Sequence, residues 1–139
     1  MSLMSSSSRM VLSSIASHLI YPDRITSSAF PRVRKVAAVC DITFDPWQSD
    51  LGMLMLSKRG DGQYACGISG VVLSIPRQTG KTFTVGTVIV LSCILETGLK
   101  VLWTAHRTRT SDETFRSMTK LVKSKKIKKY VKTVRKANG

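Results

Sequence analysis

Gly80, Lys81 and Thr82 follow the string Ser74-Ile75-Pro76-Arg77-Gln78-Thr79, and these residue types in this order can hold phosphate. Glycine at position 80 lets the backbone approach an anion with no Cβ in the way, and the amides at the start of a following helix would point at it. Lys81 would reach the β- and γ-phosphates of a nucleoside triphosphate, and the Thr82 hydroxyl would take a place on Mg²⁺. The usual pattern, G-x-x-x-x-G-K-[ST], has an earlier glycine where this chain has Ile75. Pro76, Arg77 and Gln78 instead bring a fixed φ, a permanent positive charge and an amide close to where phosphates would sit.

The flanking segments supply the elements such a loop needs. Residues 70–75 are β-branched and uncharged, the pattern of a strand buried on both faces of a parallel sheet, and Pro76 ends it. Residues 81–95 contain no proline and are apolar enough for a buried helix. Gly98 ends that helix, residues 100–105 read as a second strand, and Thr110 or Ser111 can cap a further helix. The expected fold is α/β: a P-loop NTPase-type parallel sheet with crossover helices, incomplete in this chain. The alternative is a Gly-Lys-Thr turn in an ordinary α/β domain.

The string Pro76-Arg77-Gln78-Thr79-Gly80-Lys81-Thr82 resembles the deviant Walker A loop of the large terminase subunit of tailed bacteriophages, the ATPase that drives DNA into a preformed capsid. Asp45-Pro46-Trp47-Gln48, about thirty residues before the loop, is similar to that family's Pro-Trp-Gln element, which makes Gln48 the adenine candidate. Trp47 offers an aromatic face beside it, or else anchors a core. Val101-Leu102-Trp103-Thr104-Ala105-His106 and the following Thr110-Ser111-Asp112-Glu113-Thr114-Phe115 resemble the second strand of the ATPase core and its helix. His106 would then lie at a strand's carboxyl end, where sites in open α/β sheets collect; the alternative is a loop histidine with no special task.

The resemblance covers residues 31–139, the amino-terminal part of the ATPase domain, and implies ATP and Mg²⁺ as cofactors. By that resemblance Lys81 and Arg77 are the catalytic residues and Thr82 holds Mg²⁺ through its hydroxyl. Gln48, Pro76, Arg77, Gln78, Thr79, Gly80, Lys81 and Thr82 would bind the nucleotide. The partners implied are double-stranded DNA, the portal ring and the small terminase subunit, with no membrane. The place of action would be the cytoplasm of the bacterial host, whether the gene belongs to a phage or a prophage.

A packaging motor also needs an apolar strand ending in Asp-Glu, to hold Mg²⁺ and polarise the attacking water. After Thr82 the carboxylates are Glu96, Asp112 and Glu113, and none directly follows an apolar strand. The family's carboxy-terminal nuclease domain does not fit into 139 residues either. ATP binding with little or no steady-state turnover is therefore expected, from a chain that reads as a fragment. Two alternatives stand beside this: a non-catalytic remnant acting as a basic nucleic-acid-binding polypeptide, and a fragment of a helicase-type P-loop ATPase.

Charge is unevenly placed. From Lys100 onward lie 13 of the 22 Lys and Arg against two acids, so that portion carries about +11 of the net +14. Between Lys120 and Lys132, Leu121, Val122, Ile127, Tyr130 and Val131 could share one helical face while lysines cover the rest. Such a segment suits DNA phosphates, with salt-sensitive contact indifferent to sequence; the alternatives are a solvated helix face and a membrane surface. Residues 1–30 begin serine-rich and are expected to be disordered, and residues 31–35 form a basic link. No segment qualifies as a transmembrane helix, since Arg77 and Lys81 interrupt the most apolar region. Cys40, Cys66 and Cys93 form no C-x-x-C pair and read as reduced packing residues, and His18 and His106 lack companions at metal-ligand spacing.

Overall fold

The computed structural model describes residues 11–105 and 107–135. Within the serine-rich stretch it places a short helix α1 (Val11–Ile15) and a strand β1 (Ser27–Ser28), while residues 1–10 fall outside the described residues. The basic run expected as a link is part of a helix, α2 (Phe30–Val39). Pro31 suits a helix's first turn, where its missing N–H would have no partner in any case. The Ser28 hydroxyl accepts the Phe30 N–H at 3.2 Å and donates to the Met53 carbonyl at 2.9 Å. Phe30, Val33 and Ala37 recur at helical spacing and are all buried.

Asp45 opens the next helix, α3 (Pro46–Met55), with proline again in the first turn. The Leu12 N–H donates to the Asp50 carboxylate at 3.2 Å, fastening α1 to α3. After α3 comes β2 (Ser57–Lys58), which pairs antiparallel with β1 in the register Ser27 to Lys58 and Ser28 to Ser57. The Ala29 N–H extends this ribbon to the Leu56 carbonyl at 2.9 Å, so both ends of the α2–α3 hairpin are closed.

The expected parallel pair is not formed among the described residues. Residues 70–75 and 100–105 carry no ladder, and the sheet among the described residues is the two-stranded antiparallel ribbon. The physical reason is cover: strands of a parallel sheet need apolar neighbours on both faces, whereas Val72 is 94% and Leu102 87% exposed here. The fold is thus α/β in the broad sense of mixed helix and strand, with helices supplying the packing.

Helix α4 (Lys81–Leu95) occupies the span that the sequence predicts, and it packs against α2, α3 and α5 (Thr108–Val122). Val88 and Leu91 of α4 meet Phe30, Val33 and Ala37 of α2, with Cys40 and Phe44 at the edge. The Phe30 and Phe44 rings lie 5.4 Å apart at a tilt of 59°. Burial of each of the Phe, Val and Leu side chains contributes about 1.5–3 kcal/mol. Gly86 lets α5 approach closely, because the Met118 sulfur occupies the place a Cβ would take.

Helix α5 begins with Arg107 as its N-cap, ahead of Thr110 and Ser111, which lie in the first turn rather than at the cap. The lysine-rich segment is not one amphipathic helix. Helix α5 stops at Val122, the chain turns, and a short 3₁₀ turn covers Lys128–Tyr130. Between them Ile127 is fully buried in the core cluster, where Leu121 and Val131 also pack. No helix among the described residues is long and apolar enough to cross a membrane.

Candidate functional site

The loop before α4 is shaped by two left-handed residues. Gln78 has φ 62° and Gly80 has φ 91°, with Thr79 between them. Thr79 closes the turn by donating its hydroxyl to the Pro76 carbonyl at 3.0 Å. A side-chain residue at 80 would be strained, whereas glycine adopts that conformation at little cost. Turns that alternate in this way direct successive N–H groups into a concavity suited to anions.

Gly80 is also the N-cap of α4, so the loop runs straight into the helix. The first bond inside α4 is the Thr84 N–H to the Gly80 carbonyl at 2.9 Å, and the Thr84 hydroxyl donates to the same oxygen at 2.9 Å. The N–H groups of Lys81, Thr82 and Phe83 precede that bond and have no intrahelical acceptor. Together with the helix dipole they favour negative charge at this end.

Arg77 and Lys81 are exposed, and among the described residues neither is paired with an acid. Pro76, Gln78 and Thr79 are exposed as well, and Thr82 is half-buried. The predicted residues 76–82 therefore carry two exposed cations, the Thr82 hydroxyl as well as the turn-closing one of Thr79, and first-turn amides without intrahelical acceptors. Chemically these groups can bind a polyanion and offer one hydroxyl to a cation held by that anion.

Gln48 is brought to this loop from α3. It is only 5% exposed, and its Oε1 accepts the Asp45 N–H at 2.8 Å, the third-position half of a capping box. Its Nε2 would stand 3.1 Å from a Cβ placed on Gly80. A glycine at 80 and a glutamine at 48 thus fit against each other across the α3–α4 junction. Trp47 next to it is half-buried.

Other predicted residues lie elsewhere. His106 falls outside the described residues, and Trp103 at 37% exposure sits in the unpaired run before it. Glu96 stands at the far end of α4, about 22 Å along the helix from the loop. Asp112 and Glu113 are on exposed turns of α5, where Glu113 pairs with Arg109 at 3.2 Å. No group of three or more His, Cys, Asp or Glu side chains suited to a metal occurs among the described residues.

Sequence reasoning missed the α4–α5 side of the loop. A cleft of about 440 Å³ opens there, lined by Thr82, Phe83, Ser117, Met118, Lys120 and Leu121. Phe83 is 46% exposed although it lies in a helix expected to be buried. The available signal was an aromatic residue directly after Gly-Lys-Thr, about 100° around the helix from the buried Thr84.

The lysine-rich segment forms a second charged region. Lys120, Lys123, Lys125, Lys128, Lys129 and Lys132 are all exposed. Ile127 anchors the segment in the core, and Lys126 ties it to Asp41 just beyond α2 at 2.6 Å. Lys129 also lies over the Tyr130 ring, 5.0 Å from its centre. No family model, curated protein or solved structure matches the chain.

Proposed function

We propose that the chain binds ATP with Mg²⁺ through residues 76–82, as the nucleotide-binding part of a DNA-packaging motor of the terminase type. The observation that carries the reading is the left-handed Gly80 capping α4, with Lys81 and Thr82 on the first turn and the amide of Gln48 behind it. Phosphate fits this loop: Gly80 takes the left-handed turn, the first-turn amides of α4 lack intrahelical acceptors, and Arg77 and Lys81 are both exposed cations. Lys81 would bind the β- and γ-phosphates, Arg77 would balance the charge on the terminal phosphate, and Thr82 would hold Mg²⁺ together with the phosphates. Mg²⁺ would supply charge neutralisation across those phosphates when bound.

In this reading residues 70–75 and 100–105, which form no ladder among the described residues, would serve as strands of a parallel sheet, a role supported by the exposed apolar side chains of Val71, Val72, Val101 and Leu102. Double-stranded DNA, a portal ring and a small terminase subunit would be the partners, in the cytoplasm of a bacterial host. The reading is tested by titrating the full chain with Mg–ATP and following binding by calorimetry. Binding that disappears in Lys81→Ala, with no steady-state phosphate release from either protein, is the expected result. Equal heats from the wild type and Lys81→Ala would sink it.

A second reading, a basic nucleic-acid-binding polypeptide, is favoured by the exposed lysines held on a buried isoleucine. It predicts DNA binding that Lys81→Ala leaves untouched and that weakens steeply with salt. A helicase-type origin for the loop would leave the first-turn chemistry unchanged.

A further inference from the structure

We infer that the cleft between α4 and α5 receives the nucleoside of the triphosphate, with Phe83 as its stacking face, while Gln48 positions the loop. The inference rests on the phosphate reading proposed above. Thr82 is the link between the two regions: it closes the Gly-Lys-Thr string and forms one wall of the cleft. A ligand whose phosphates lie on the amides of the first turn therefore has the cleft directly beside it.

The lining suits a base and a sugar. Phe83 presents an aromatic face at 46% exposure, and among the described residues the one ring-to-ring contact is the distant Phe30–Phe44 pair. Met118 and Leu121 give an apolar floor, and a sulfur beside a flat ring is a favourable neighbour. Ser117 donates its hydroxyl to the Glu113 carbonyl at 3.0 Å, so its oxygen remains able to accept a hydrogen bond from a ribose hydroxyl. Lys120 at the rim adds a cation with no acid paired to it among the described residues. A volume of about 440 Å³ lies within the range of small-ligand sites.

Gln48 has a different environment. Its carbonyl oxygen is engaged by Asp45, its amide faces Gly80, and only 5% of the residue is exposed. It offers a base little surface, yet it fills the space behind the loop. Its removal would therefore act on the phosphates through Gly80, whereas the removal of Phe83 would act on the base.

The experiment compares Mg–ATP with Mg–tripolyphosphate, which carries the phosphates and no nucleoside, on the full chain by calorimetry. The wild type is expected to bind ATP more tightly. Phe83→Ala is expected to weaken ATP about tenfold, the order of one base-aromatic stack, and to leave tripolyphosphate unchanged. Phe83→Trp keeps a ring there and should retain ATP affinity, and far-ultraviolet circular dichroism checks that both variants are folded. Gln48→Ala should weaken the two ligands by the same factor. Equal affinity for the two ligands in the wild type, or a Gln48→Ala variant that loses ATP alone, would overturn the nucleoside assignment and leave the phosphate loop standing. A wild type with no affinity for tripolyphosphate would overturn the loop reading and this inference with it.

Discussion

Ile127→Ala decides whether burial or charge holds the lysine-rich segment against the helices. Ile127 is fully buried in a cluster with α2 and α4, and truncating such a side chain costs about 2–5 kcal/mol. The adjacent ion pair, Lys126 with Asp41, is close at 2.6 Å, but its side chains are 46% and 73% exposed. An exposed pair of this kind contributes about 0–1 kcal/mol. The difference is large against the total stability of a domain, about 5–15 kcal/mol. Urea unfolding followed by circular dichroism reads it directly. With a slope of about 1–3 kcal/mol per molar urea, the midpoint of Ile127→Ala should fall by about 1 M or more. Lys126→Ala should move it far less, and trypsin should cut the lysine segment faster in the first variant than in the second. If Ile127→Ala stays within about 0.5 kcal/mol of the wild type, the isoleucine is not the anchor. A Lys126→Ala variant that costs as much as Ile127→Ala would refute the reasoning equally.

Gly86→Ala puts a methyl group into the Met118 sulfur and should destabilise by about 1–3 kcal/mol in thermal unfolding, with partial recovery when Met118→Ala is added. Partial burial, and then the charge of Glu96, push the Cys93 thiol upward, so little thiolate is present at neutral pH. Iodoacetamide should modify Cys93 more slowly than a free thiol near pH 8. Glu96→Gln, which removes the negative charge and lowers that pKa, should speed the reaction. If the lysine-rich segment contacts DNA, each of Lys128→Ala and Lys129→Ala should reduce the slope of log affinity against log salt by about 0.9, with no change in sequence preference.

The helix over residues 81–95 was legible because its signals are local: no proline, an apolar run and a glycine at its start. The start of helix α3 is marked by equally local signals. Asp45 and Pro46 followed by Gln48 at the third helical position form an N-terminal capping signature, so the same residues that suggest an adenine contact also start a helix. The strands over 70–75 and 100–105 show the opposite limit. Their residues favour extended backbone, but a ladder needs a partner and cover from distant parts of a chain, and pattern alone does not supply either. Ile127 was invisible for a related reason: an apolar residue among lysines looks the same on an amphipathic helix as in a turn that dips into a core. At the site, the order of the loop residues was readable, whereas the fit of Gln48 against Gly80 and the cleft beside Phe83 depend on how three helices meet.

The contact between Met118 and Gly86 also makes the α4–α5 seam answerable to oxidants. Met118 is half-buried and lines the cleft, which gives peroxide a route toward its side chain. Conversion to the sulfoxide adds a polar oxygen to a sulfur that already fills the space over a glycine, and the helix backbone opposite has no side chain to give way. The seam would then part at the wall of the cleft. A methionine sulfoxide reductase, drawing two electrons from a thiol and releasing the oxygen as water, would restore the thioether and the contact with it.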